Sequence, residues 1–244
     1  MKKTPSRLPR IAILPAVALA LSLHAPLPAE EKPATTPHMQ LRAVDALRIT
    51  GAATEANARA DAFSKQGSYA DAEKEYREAA RLLNTAFNPA FPDLLKARSN
   101  LARVLQAQGK HAGAETEYRT MLASQERDSR PQSHEILRTR RQLAEVLSKQ
   151  GKHVEAEKEY RTLLATRRQK YRANNVTVFA ALLDLAQCLS DQGRGKEALD
   201  IIEPAETEFV ELWGAENPLS KQSKAAREQI QAKLKAQPSP EPAK

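Results

Sequence analysis

At 244 residues, with 41% hydrophobic side chains, the chain can fill either one sizeable core or a stacked array of smaller ones. Scarce glycine, few aromatics and an abundance of Ala, Leu, Glu, Lys, Arg and Gln from residue 41 to 235 predict an all-α chain with almost no strand. The net charge of +8 falls to +4 without the first 29 residues, which carry Lys2, Lys3, Arg7, Arg10 and no acid; that argues against a nucleic-acid partner, and the single Cys188 excludes an intramolecular disulfide framework and a cysteine-rich zinc site.

The first predicted element is an address. Basic residues precede an apolar run from Ile11 to Leu23, and the small residues Ala25 and Ala29 follow before a polar stretch, which is the order of a secretory signal peptide over residues 1–29. The run falls short of the roughly twenty residues needed to span a bilayer and is interrupted by Pro15, so a retained anchor is the weaker reading. No cysteine follows it for lipid attachment. Cleavage after Ala25 or Ala29 would release a periplasmic or secreted product. Residues 30–52, with Pro33 and Pro37, are expected to form a lead-in linker and a short N-terminal helix.

A forty-two-residue repeat follows. Gln-Gly recurs at Gln66-Gly67, Gln108-Gly109, Gln150-Gly151 and Gln192-Gly193 without slip. Seven residues before each glycine stands Ala60, Ala102, Ala144 or Ala186, and four before it Phe63, Leu105, Leu147 or Leu189. Five after it comes Ala72, Ala114, Ala156 or Ala198, and nine after it Tyr76, Tyr118, Tyr160 or Ile202. Each unit is predicted to be helix, tight turn and helix: the glycine supplies the left-handed residue that ends the first helix, and the small alanines let the pair approach closely. Such a hairpin cannot bury both faces alone, so the units must stack.

This pattern resembles tetratricopeptide repeats in the forty-two-residue variety of kinesin light chains, over about residues 54–221. The resemblance implies a right-handed α-solenoid of about four helix-turn-helix hairpins. The expected bounds are an array at 53–218, with repeats at about 53–92, 93–134, 135–176 and 177–218, then a capping helix at 219–236 and a disordered tail at 237–244. Arg59 departs from the Leu101, Leu143 and Leu185 pattern, the fourth turn reads GRGKEA, and Pro204 predicts a kink or early break in the last hairpin.

No reactive constellation emerges from the sequence. His111 and His153 share a turn position in successive copies, which repetition explains better than metal ligation, and His24, His38 and His134 are scattered. Metal-protease, phosphate-loop and nucleophile-elbow motifs are missing. Cys188 stands where Ala62, Val104 and Val146 stand, which marks a small core residue. The glutamates of AEKEY and AETEY are expected on a solvated helix face. No catalytic residue, metal or cofactor is therefore expected.

A second stripe on each first helix, at ten, six and three residues before the glycine, runs through Asn57, Asp61, Ser64; Ser99, Arg103, Gln106; Arg141, Glu145, Ser148; and Leu183, Gln187, Ser190. The resemblance makes this the concave groove that contacts peptides, so the candidate groove residues are Asn57, Asp61, Ser99, Asn100, Arg103, Gln106, Arg138, Arg141, Glu145 and Gln187. Asn100 and Arg138 match two places of a carboxylate clamp that some family members carry, but Asn57, Asp61 and Gln142 depart from it. Basic clusters at Arg138, Arg140, Arg141 and at Arg167, Arg168, Lys170, Arg172 are candidates for attracting an acidic segment or anionic surface. The expected function is an exported adaptor holding a peptide or helical protein segment. The alternative is a structural subunit of a homo-oligomer or envelope complex that uses its ends or convex face.

Overall fold

The computed structural model describes residues 43–128, 133–172 and 175–236. The signal, the lead-in through residue 42 and the tail at 237–244 lie outside them. Among the described residues there are nine α-helices and no strand: α1 (Ala43–Lys65), α2 (Tyr69–Ala86), α3 (Pro92–Ala107), α4 (His111–Asp128), α5 (His134–Lys149), α6 (His153–Lys170), α7 (Val176–Asp191), α8 (Gly195–Trp213) and α9 (Pro218–Ala236). Each helix packs on the next, and α9 reaches back to α7. The result is four hairpins in a solenoid, closed by one further helix. Residues 43–52 are continuous with the first hairpin: α1 runs unbroken from Ala43 to Lys65, and no separate short helix stands before it among the described residues.

The turns show why the glycines repeat. Gly67, Gly109, Gly151 and Gly193 all have φ between 74° and 78°, where a side chain would be strained. Beyond each, the next amide reaches back to the residue four before the glycine: Ser68 N–H to the Phe63 carbonyl, Lys110 to Leu105, Lys152 to Leu147 and Arg194 to Leu189, at 2.8–2.9 Å. The glycine N–H itself bonds three residues back, which completes a Schellman cap. All eight repeat alanines flanking the turns are 0% exposed, so the helix axes meet where no larger side chain fits.

Successive hairpins are latched at the same turns. The Gln108 side chain donates to Glu73 of the preceding hairpin (2.9 Å), joined by Lys110 (2.7 Å) and Arg77 (2.9 Å). Glu115 receives Gln150, Lys152 and Arg119, and Glu157 receives Gln192, Arg194 and Arg161, all within 2.6–2.9 Å. Burial opposes ionisation of Glu73, but the donors outweigh it and hold the carboxyl at about 2. The same balance holds Glu115 at about 2 and lowers Glu157. The expectation of a solvated glutamate face is thus corrected: these three carboxylates bind one hairpin to the next.

The fourth hairpin departs from the pattern for a reason supplied by α9. Gly195 is buried at the position of Tyr69, His111 and His153, and a Cβ there would lie 2.8 Å from Leu234 of α9. Arg227 pairs with Glu206 (2.9 Å) and Lys233 with Asp191 (2.9 Å), tying α9 to α8 and α7. The expected break at Pro204 does not occur: α8 continues through it to Trp213. Pro204 is exposed, so water can reach the backbone at the missing hydrogen bond and lessen its cost.

Candidate functional site

The groove stripe is carried by the first helix of each hairpin, with the tyrosines of the second helices beneath it. The Tyr76 hydroxyl donates to Asp61, and the Tyr118 hydroxyl donates to Gln106 (3.4 Å). Burial, with Asp61 adding to it, raises the Tyr76 phenol well above its ordinary range, and burial pushes Tyr118 up to about 12. Both phenols therefore stay neutral and act as fixed donors. The packing periodicity that buries Tyr76, Tyr118 and Tyr160 also orients polar groups on the groove side.

Asp61, Asn100 and Arg103 come together in an open cleft of about 430 Å3 between the first two hairpins, with Ser64, Lys65 and Tyr69 at its edge. Asn57 and Asp61 share a smaller recess of about 180 Å3 with Lys96. The Asn57 Oδ1 atom is buried without a hydrogen-bond partner among the described residues. Lys65, Tyr69 and Lys96 were not among the sequence candidates; Lys65 and Tyr69 flank the Gln66-Gly67 turn, and only the docking of α3 turns that end of the hairpin into a cleft wall.

The remaining candidates separate into engaged and open groups. Arg141 grips Asp184 of the next hairpin through two bonds at 2.6 and 2.9 Å, so it is a bridge across the groove floor rather than an open cation. Glu145 pairs with Lys149 (3.6 Å), and Gln187 donates to Asp191 (3.0 Å). Leu183 and Ser190, which continued the stripe in the fourth copy, are buried. Ser99 and Asn100 are half-buried, whereas Arg103 and Arg138 are exposed; none of these four side chains has a hydrogen-bond or ion-pair partner among the described residues.

The basic clusters do not form one patch. Arg140 is spent on Glu126 and Glu159, Arg167 is half-buried and donates to the Thr177 carbonyl, and Lys170 lies over the Tyr171 ring at 5.4 Å. Cys188 is buried in the core with its thiol raised by burial. No helix among the described residues is long and apolar enough to cross a membrane.

A stack of helical hairpins that presents an open polar stripe along its first helices is a scaffold of the kind that binds other proteins. The repeats are tetratricopeptide repeats: residues 94–127 and 135–205 match two family models of that description, and the chain is a tetratricopeptide-repeat protein. Its fold is similar to a Podosopora anserina kinesin light chain structure with nearly identical TPR-like repeats (TM-score 0.67, 18% identity, 81% of this chain and 90% of that one). It is also similar to BtubC (BKLC) from P. vanneervenii (TM-score 0.51, 18% identity, 85% and 91%). A third likeness is to Rap protein complexed with Competence and Sporulation Factor (TM-score 0.54, 17% identity, 73% and 48%). No curated protein sequence matches the chain.

Proposed function

We propose that the chain is an exported adaptor whose concave groove holds an acidic extended segment of another protein across the first three hairpins. The observation that carries this reading is the contrast among its cations. Arg98, Arg119, Arg140, Arg141 and Arg161 are each committed to a carboxylate of the stack, whereas Arg103 and Arg138, on the groove side, have none among the described residues. Arg103 lies close enough to the Tyr76 and Tyr118 phenols to act on both, and Arg138 close enough to act on Tyr118. Two uncommitted guanidinium groups near neutral phenols, whose own protons are already given to Asp61 and Gln106, favour carboxylates and backbone carbonyls. Rap protein, held in a complex with Competence and Sporulation Factor, shows that a related fold engages a partner.

The test is an affinity pull-down from an envelope extract of the source cells, with wild-type protein beside an Arg103→Glu, Arg138→Glu variant. A partner retained by the first and lost by the second supports the groove as the working surface. Identical recovery by both would remove the groove from the account. Export is tested by fractionating cells that express a C-terminally tagged full chain. A mature N-terminus at residue 26 or 30 in the extracytoplasmic fraction supports the signal-peptide reading, and an intact N-terminus in the cytosol overturns it.

A further inference from the structure

One junction of the stack breaks the ionic pattern of the others. In the second hairpin Arg98 bridges Glu117 of its own second helix (2.7 Å) and Asn84 of the preceding hairpin (3.5 Å). In the third, Arg140 bridges Glu159 and Glu126 in the same way. One repeat further on, the corresponding residues are Leu182, Ile201 and Arg168, so an apolar pair replaces the ion pair and the arginine moves to the outer position. The space is not refilled: a cleft of about 370 Å3 opens there, floored by Phe179, Leu182 and Phe209 and walled by Ile201 and Pro204. None of the ten groove candidates lines it.

We propose that this cleft between α6, α7 and α8 is a second docking site, distinct from the groove, for a partner segment that presents a bulky apolar side chain beside a basic one. The apolar half of the requirement follows from the floor. Phe179 and Phe209 stack with centroids 4.1 Å apart and are almost wholly buried, so they give the cleft a rigid backing, and an inserted ring or branched side chain meets Ile201, Pro204 and Ala205. The basic half follows from α8. From Gly195 to Trp213 it carries six acids against the single base Lys196; Glu197 and Glu206 are committed to Arg161, Arg194 and Arg227, which leaves Asp200, Glu203, Glu208 and Glu211 without an ion pair among the described residues. Asp200 and Glu208 stand on the lip of the cleft without partners among the described residues. A cationic side chain placed beside the apolar anchor meets both carboxylates. The lone Arg168 opposite limits the register and disfavours a uniformly basic segment.

The test uses the purified full-length chain and a short fluorescent peptide with one phenylalanine flanked by lysines, read by anisotropy. Two altered peptides have the phenylalanine replaced by serine or the lysines by glutamates. The key variant is Leu182→Arg with Ile201→Glu, which replaces the apolar pair with the Arg–Glu pair of the second and third hairpins. Binding of the parent peptide, weakened about tenfold or more by either altered peptide and by this variant, is the expected result. The Arg103→Glu, Arg138→Glu variant should bind it unchanged. Asp200→Lys with Glu208→Lys changes only exposed groups and should weaken binding similarly, which keeps the test intact if the first variant fails to fold. Equal binding by both cleft variants, or preference for the glutamate peptide, overturns the proposal. So does wild-type protein that self-associates and becomes monomeric in the Leu182→Arg, Ile201→Glu variant, since a second copy would then be the occupant.

Discussion

The side-chain amide of Gln108, in the turn of the second hairpin, donates to the carboxylate of Glu73 on the second helix of the first, 2.9 Å away. The same bond recurs from Gln150 to Glu115 and from Gln192 to Glu157. Two sequence signatures thirty-five residues apart, Gln-Gly and the first glutamate of AEKEY, are thus the two halves of one joint.

Breaking that joint in the middle of the array should loosen the stack without unfolding a hairpin. Glu115→Ala removes the acceptor of three donors, two of them on exposed cations, and is expected to cost about 1–2 kcal/mol. Urea denaturation followed by circular dichroism measures it. A midpoint indistinguishable from wild type would show that the joint is ornamental to stability.

The latch also sets an acid limit. Glu73 and Glu115 titrate at about 2 in the folded chain, below the roughly 4.3 of an unfolded glutamate. The unfolded chain therefore binds more protons between these values, so the stabilisation is fully present above about pH 4.5 and is lost as pH falls towards 2. Urea midpoints from pH 7 to 2 should fall through that window, and a Glu73→Gln, Glu115→Gln variant should show a shallower fall. Parallel curves for the two proteins would assign the acid sensitivity elsewhere.

Gly195 and Leu234 should behave as a coupled pair. A Cβ at position 195 would lie 2.8 Å from the branch carbon of Leu234, so Gly195→Ala is expected to destabilise the chain by about 1–2 kcal/mol despite alanine's better helix propensity. In the background of Leu234→Ala the same substitution should be neutral or favourable, and a double-mutant cycle reads the difference. Additive effects would mean that α9 does not press on this site.

Pro204 makes the opposite prediction. It is exposed and lies inside a helix that continues past it, so Pro204→Ala restores an amide donor without disturbing a buried contact. Stability should rise by about 1–3 kcal/mol. A melting temperature that does not increase would indicate that the proline ring makes a packing contribution of similar size.

Within the groove, Arg141 and Arg103 should part company. Arg141→Ala leaves Asp184 without its bidentate partner and is expected to cost about 1 kcal/mol. Arg103→Ala breaks no bond among the described residues and should stay within about 0.5 kcal/mol of wild type. Equal losses for both would mean that Arg103 also serves the stack.

The period of forty-two residues, the glycine turns and the alanine contacts were legible in the sequence because each depends on a local constraint. A positive φ tolerates glycine alone at little cost, and two helix axes in contact tolerate only small side chains, so these demands print the same letter in every copy. The hairpins and their stacking followed from that register. What the letters could not decide was which charge meets which. Glu73 and Glu157 look like surface acids until the next turn is brought against them, and Arg141 looks like Arg103 until Asp184 is placed beside it. Gly195 and Pro204 look like defects until α9 covers the first and solvent reaches the second. Those are contacts between elements separated by an entire repeat. Only the tertiary packing sets their distances, and at the short range of a hydrogen bond or an ion pair, distance decides whether a charged side chain holds the stack together or stays open for a partner.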